Sequence, residues 1–197
     1  MASARTRPTM EATSMTTIVG DWRRKILVSD SQVSDEDSNT KAFNQDKVFK
    51  VPQGWLAGAG DIRSIQQVVK YFMDGKKGKP PVIKETEDAD FMLLNEDGLF
   101  LSDRMLNFWN VTSYDSIGNG QNAALAVMSL GHSAEEAVWA SCQSELYSGE
   151  PVKVYEVNAS KYYIWKRNET TISESKGTEA TAVGTGSDTP TVPYAEH

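Results

Sequence analysis

Apolar positions along the chain form short β-type runs, interrupted in three places by helical spacing. Thr16–Gly20 and Lys25–Val33 read as a first strand pair around the turn Asp21-Trp22-Arg23-Arg24. Ser34–Asn44 is polar and acidic, which predicts a loop. Lys47–Val51 and Trp55–Ala57 are two short strand signals joined by Pro52-Gln53-Gly54. Gly58-Ala59-Gly60-Asp61 then opens a helix that Asp61 can cap, with Ile62, Ile65, Val68, Val69, Phe72 and Met73 recurring on one face. That helix stops at Gly75, and Lys76–Asp88 is a charged connector.

Phe91–Leu94 and Leu99–Leu101 flank Asn95-Glu96-Asp97-Gly98, a hairpin with its turn chemistry in place. Val111–Ile117 reads as one further strand leading into Gly118-Asn119-Gly120. A short helix follows with Ala123, Ala124, Val127 and Met128 inward. Ser133–Glu136 is a capping-box pattern that starts the next helix, running to about Glu145 or Leu146. Val152–Val157 and Tyr162–Trp165 are the last strand signals. Residues 1–15 and 168–197 lack periodicity and large apolar runs, so they read as disordered tails, the first of them alternatively removed. One domain, 16–167, remains between them.

Antiparallel hairpins make sheets with two distinct faces, and amphipathic helices must cover the outer ones. Two stacked sheets between helical layers satisfy the order of elements. An open α+β sheet with helices on one face also does.

At 197 residues the chain is long enough for a substantial core. Its net charge of −7 argues against nucleic acid or an anionic membrane as the main partner. No apolar run approaches the ~18 residues of a spanning helix, and residues 1–15 have no apolar segment of the secretory kind. The single cysteine, Cys142, excludes an internal disulfide and fits a reducing, cytoplasmic compartment. Cys142 falls mid-helix and reads as a small core residue. His132 and His197 suggest neither a triad nor a metal pair, and no phosphate-cradling loop or cofactor fingerprint is present. Trp139 and Tyr162-Tyr163-Ile164-Trp165 read as packing. No cofactor or metal is expected.

The remaining chemistry starts at Thr16. A hydroxyl nucleophile at the beginning of a chain can use its own α-amino group as base. Fifteen residues precede Thr16, but Met15 stands directly before it. Initiation at Met15 with methionine removal, or loss of a propeptide, would each expose it.

Six motifs in order carry a family likeness. Thr16-Thr17-Ile18-Val19, Val28-Ser29-Asp30-Ser31-Gln32, Asp46-Lys47-Val48, Ala57-Gly58-Ala59-Gly60-Asp61, Ser116-Ile117-Gly118-Asn119-Gly120 and Leu146-Tyr147-Ser148-Gly149 resemble the proteasome β-subunits and the bacterial peptidase HslV. These are N-terminal-nucleophile (Ntn) hydrolases. The likeness covers about residues 16–157. It implies the four-layer αββα sandwich and a threonine-type peptidase that cleaves peptides or unfolded proteins. It also implies assembly as a homo-oligomer and a regulatory ATPase partner.

By the same resemblance Thr16 is the nucleophile, and Asp30 fixes Lys47, whose ammonium would stabilise the emerging alkoxide. Backbone N–H groups around Gly58 and Ala59 would hold the oxyanion. Asn119, Glu145 and Ser148 would support the site from behind. This chain departs from the pattern in several places. Its first hairpin is two residues shorter, an even change that preserves the face of Asp30. The turn at Gly58–Asp61 lacks one residue, Asn119 and Glu145 stand where the family has serine and aspartate, and the second long helix is replaced by Lys76–Asp88. An inactive scaffold subunit of the same fold, or an Ntn amidase acting on a small amide, fits the same residues.

Overall fold

The computed structural model describes residues 13–14, 16–34, 40–42, 45–85, 87–144 and 148–167. In chain order the strands of the first half are β1 (Thr13–Ser14), β2 (Ile18–Asp21), β3 (Ile26–Ser29), β4 (Val33–Ser34), β5 (Thr40–Ala42), β6 (Val48–Val51) and β7 (Gly54–Asp61). Helix α1 (Ile62–Met73) follows, then β8 (Ala89–Leu94), β9 (Leu99–Ser102), β10 (Phe108–Val111) and β11 (Tyr114–Ile117). Helices α2 (Gln121–Ser129) and α3 (Ala134–Ser144) precede β12 (Val152–Glu156) and β13 (Tyr163–Trp165).

Two antiparallel sheets result. One runs β1-β7-β8-β9-β10, with β6 sharing the β1 edge of β7; the other runs β11-β2-β3-β12-β13. Period-two alternation decides which side each residue packs on. In the second sheet Ile18, Leu27, Ile117 and Tyr155 turn inward to meet Trp55, Ala57, Met92, Leu94 and Leu99 of the first. Val19, Val28, Val152 and Val154 turn outward onto α2 and α3. In the first sheet Leu56, Phe91 and Leu93 turn outward onto Ile65, Val68 and Phe72 of α1. The order of layers is therefore helix, sheet, sheet, helices: the α+β four-layer sandwich, not the open sheet.

Local chemistry sets the boundaries. Asp61 accepts from the Ser64 N–H and caps α1, and the Ser133–Glu136 capping box closes reciprocally. Of the residues predicted for the α1 face, Ile65, Val68 and Phe72 are buried, while Met73 is exposed at the last turn. No described helix is long and apolar enough to cross a membrane.

Five sequence expectations change. The glycine-rich stretch before α1 is not a turn but the second half of β7, with Gly58 and Gly60 paired to Phe91 and Ala89. Val111–Ile117 is two strands, since Val111 ends the first sheet and Tyr114 begins the second. Val33–Ser34 and Thr40–Ala42 pair across the stretch expected as a loop. Within the leader, Thr13–Ser14 lie antiparallel to β7, opposite Asp61 and Gly60. The Tyr162–Trp165 segment also packs less than expected: β13 is an edge strand, and Tyr162, Tyr163 and Ile164 are exposed.

Candidate active site

The shortest route into the site is the β2–β3 ladder. Ile18 pairs with Ser29, so Thr17 and Asp30 face each other just beyond the end of the ladder. The Asp30 N–H donates to the Thr17 carbonyl at 3.1 Å, and the Thr17 N–H donates to Asp30 Oδ1 at 2.9 Å. This places the Asp30 carboxylate beside Thr16, whose Oγ1 donates to Oδ1 at 2.5 Å.

Lys47 arrives from the other sheet. It precedes β6, and its Nζ donates to Asp30 Oδ1 and Oδ2 at 2.9 and 3.0 Å. The N–H groups of Gln32 and Gly149 each donate to Oδ2 at 3.1 Å. Thr16, Asp30 and Lys47 are all buried. The nearby Lys50 does not compete: its exposed ammonium lies over the Trp55 ring and bonds the Ala159 carbonyl.

Burial holds the Lys47 ammonium below the usual lysine range, while the Asp30 charge and hydrogen bond pull the other way. A neutralised pair in a low-dielectric site, with a hydroxyl bonded to the shared carboxylate oxygen, can do two things. The carboxylate orients the hydroxyl proton, and the ammonium, bonded to the same Oδ1, is the nearby cation that can stabilise negative charge on the threonine oxygen.

The loop after β11 closes the other side. Gly118 has φ +91°, and a Cβ there would fall 2.1 Å from the Thr16 carbonyl oxygen. A Cβ on Gly120 would fall 1.9 Å from Thr17 Oγ1. Only glycine lets this loop lie against the start of β2. Ser148 Oγ is 2.7 Å from Thr17 Oγ1, so it supports the neighbour of Thr16 and not Thr16 itself. Asn119 is exposed at the tip of the loop. Glu145 lies outside the described residues.

The backbone donors differ from expectation. The Gly58 N–H donates to the Lys47 carbonyl at 3.1 Å, so it is engaged in holding Lys47 in place. Successive strand N–H groups point to opposite edges, which turns the Ala59 N–H toward β8. Neither is open to an oxyanion in this arrangement. Reading the β7 glycines as a turn hid this, because strand pairing assigns each N–H to an edge.

Cys142 has no place in the cluster as a nucleophile. Burial first, then the Asp30 charge, pushes its thiol up, which disfavours the reactive thiolate. Thr17, Gln32 and the Gly149 N–H are parts of the site that the sequence reading did not single out. The only signal for them was membership of the quoted motifs.

No protein-family model and no curated protein matches the chain. Among solved structures it is similar to Thiobacillus denitrificans BPH in complex with epoxomicin, at 17% identity and a TM-score of 0.59, over 73% of this chain and 100% of that one. Another structure of Thiobacillus denitrificans BPH gives 18% identity and a TM-score of 0.57, over 73% and 98%. The eukaryotic HslV from Trypanosoma brucei gives 15% and 0.56, over 71% and 98%. The structural neighbours are thus HslV-type, proteasome-like proteins. At these identities the likeness establishes the fold.

Proposed function

We propose that this chain is a threonine-type peptidase in which Thr16, once it is the first residue, attacks the carbonyl of a peptide bond. The observation that carries this reading is Thr16 Oγ1 seated on the buried Asp30–Lys47 pair. With its nitrogen freed, Thr16 has an amine of pKa about 8 before perturbation. That amine takes the hydroxyl proton directly or through one water, and the Lys47 ammonium steadies the alkoxide. The alkoxide forms an ester with the acyl half of the substrate. The amine half leaves with the proton, and water then hydrolyses the ester. Lys47 also lowers the pKa of the Thr16 amine by like-charge proximity, so more of it is unprotonated near neutral pH.

Thr16 is fully buried here and its nitrogen is an amide, so this reading requires cleavage before Thr16 ahead of turnover. The edge of β7 that pairs with Thr13–Ser14 is then open to an extended peptide. Assembly as a homo-oligomer, with a regulatory ATPase feeding unfolded chains, belongs to this reading as its cellular form.

One observation favours the scaffold alternative: the Gly58 N–H is spent on the Lys47 carbonyl. The same experiment separates the two. Thr16→Ala in the purified protein is expected to abolish hydrolysis of a peptide amide with the fold retained. Thr16→Ser is expected to keep it at reduced rate. Wild-type activity in Thr16→Ala would end the assignment, and no hydrolysis by a wild-type chain that begins at Thr16 would leave the scaffold.

A further inference from the structure

Among the described residues two lysines are buried, Lys47 and Lys153, and the reading above uses only the first. Lys153 sits in β12 opposite Ser29, the residue before Asp30, and on the same face of its strand as the inward Tyr155. Its neighbours Val152 and Val154 pack outward onto the helices, so Lys153 projects into the space between the sheets. There its Nζ donates to Asp46 Oδ1 at 2.7 Å and to the Gln45 carbonyl at 3.2 Å, and lies 4.8 Å from the centre of the Tyr162 ring. The side chain is 1% exposed, whereas that of Asp46 is 54% exposed. An ammonium withdrawn from water is costly unless its geometry is well satisfied. This one reaches across from one sheet to grip the two residues that immediately precede Lys47.

That segment needs a grip. Lys47 lies ahead of β6, where no ladder fixes its direction, and Phe49 and Val51 of the strand pack toward α1. Lys47 must turn the other way to reach Asp30. Three contacts hold the turn: the Gln45 N–H on the Ser31 carbonyl, the Gly58 N–H on the Lys47 carbonyl, and Lys153 on Gln45 and Asp46.

We propose that Lys153 is a positioning residue for Lys47: by clamping Gln45 and Asp46 it sets the entry into β6 and aims the Lys47 ammonium at Asp30. This rests on the peptidase reading for its effect on rate, but not for its effect on geometry. The charge of Lys153 also adds to burial in weakening the hold of Lys47 on its proton, against the opposing pull of Asp30.

The test is Lys153→Met beside Lys153→Arg, each expressed from the whole sequence and purified as the product that begins at Thr16, and each read by peptide hydrolysis and by crystal structure. Lys153→Met is expected to lower kcat about 10²-fold, the size of effect a misplaced catalytic group produces. KM stays unchanged, because an extended peptide lies along β7 and not on Lys47. Lys153→Arg, which keeps the charge and the donors, is expected to restore most of kcat. In the Met structure Lys47 Nζ should leave hydrogen-bond distance of Asp30. If wild type hydrolyses nothing, the peptidase reading fails by itself, and the structural arm still decides. Lys47 unmoved in Lys153→Met, kcat equal to wild type, or an equal loss in Met and Arg would each overturn the proposal. If Lys153→Met does not fold, Asp46→Asn takes its place, with a smaller kcat loss expected and none contradicting the clamp.

Discussion

Among the described residues two buried carboxylates, Asp30 and Glu135, are paired with cations, and the pairs are built differently. Asp30 meets Lys47 with both side chains withdrawn from water, at 2% exposure or less. Glu135 of α3 is almost as buried, at 4%, but its partner Arg24, on the turn between β2 and β3, is 45% exposed. Arg24 grips Glu135 through both guanidinium nitrogens, Nη2 donating to Oε1 at 2.8 Å and Nη1 to Oε2. The second pair is a clamp: a bidentate fork ties a hairpin to a helix, and its cation keeps half its hydration. The first pair gives up hydration on both sides and gathers a hydroxyl instead. Withdrawing both ions is a poor way to gain stability, and it creates the kind of low-dielectric polar site that chemistry needs.

The pKa directions follow the same division. Lys47 is held below the ordinary lysine range, chiefly by burial. Burial pushes Glu135 upward, yet the Arg24 hydrogen bond and charge overcome it, and its carboxyl ends below the usual range.

The largest break in the comparison is Lys47→Ala. It removes the stabilising charge from the threonine oxygen and leaves Asp30 buried without its cation. A stability loss of about 3–5 kcal/mol is expected, together with loss of hydrolysis, measured by denaturant unfolding and peptide turnover on the same preparation. Unaltered stability would mean that the pair is not buried as described. The alkaline limb carries a further signature. A lysine with a depressed folded pKa binds fewer protons folded than unfolded, so it makes stability rise with pH between that value and about 10.4. Lys47→Ala should erase this rise.

Arg24→Ala comes next, and its effect is of another kind. Glu135 loses two charge-assisted hydrogen bonds, at a cost of about 2 kcal/mol, while kcat for any peptide stays at the wild-type level. Its pH window is the acid one. A carboxyl with a depressed folded pKa contributes stability above about 4.3, and this is lost as pH falls through the folded value. The acid unfolding midpoint of Arg24→Ala should therefore move to higher pH. A fall in kcat instead would tie the clamp to the site.

Lys50→Ala is the smallest. It removes an exposed ammonium from the face of Trp55 in the same strand region as Lys47, and should cost within about 0.5 kcal/mol. Activity should be untouched, in direct contrast with Lys47. A severe loss would mean that the two lysines have exchanged roles.

How far the sequence revealed this molecule depends on which physical signal each residue sends. The layers were legible because Ile18, Leu27 and Tyr155 alternate with Val19, Val28 and Val154, and because α1 carries a clear apolar stripe. Alternation failed where the chain changes sheet. Val111 and Tyr114 belong to different sheets, and only Thr112-Ser113 lies between them to mark the change. The β7 glycines looked like a turn because glycine signals flexibility. Here it signals crowding: a Cβ on Gly60 would come within 1.9 Å of the Asp88 carbonyl.

Lys47 could be singled out from Lys50 only by the family resemblance. Strict alternation with Phe49 and Val51 would have sent it to the α1 side, and only its place ahead of the strand turns it to Asp30. Lys153 sent a signal that went unread, a lone cation in Val-Lys-Val-Tyr on the face that Tyr155 shares. The engaged Gly58 N–H was not legible at all, because backbone pairing depends on which strands become neighbours.

The central claim is that Thr16 works as an N-terminal residue, and the mass of the intact protein tests it most directly. After purification from its own expression the chain is expected to have lost residues 1–15, giving a single species that begins at Thr16. Thr16→Ala, if loss of the leader depends on this site, should retain its leader under the same conditions. A wild-type product that stays stable with residues 1–15 attached, yet hydrolyses peptides, would contradict the account. The nitrogen of Thr16 would then be an amide, which is no base.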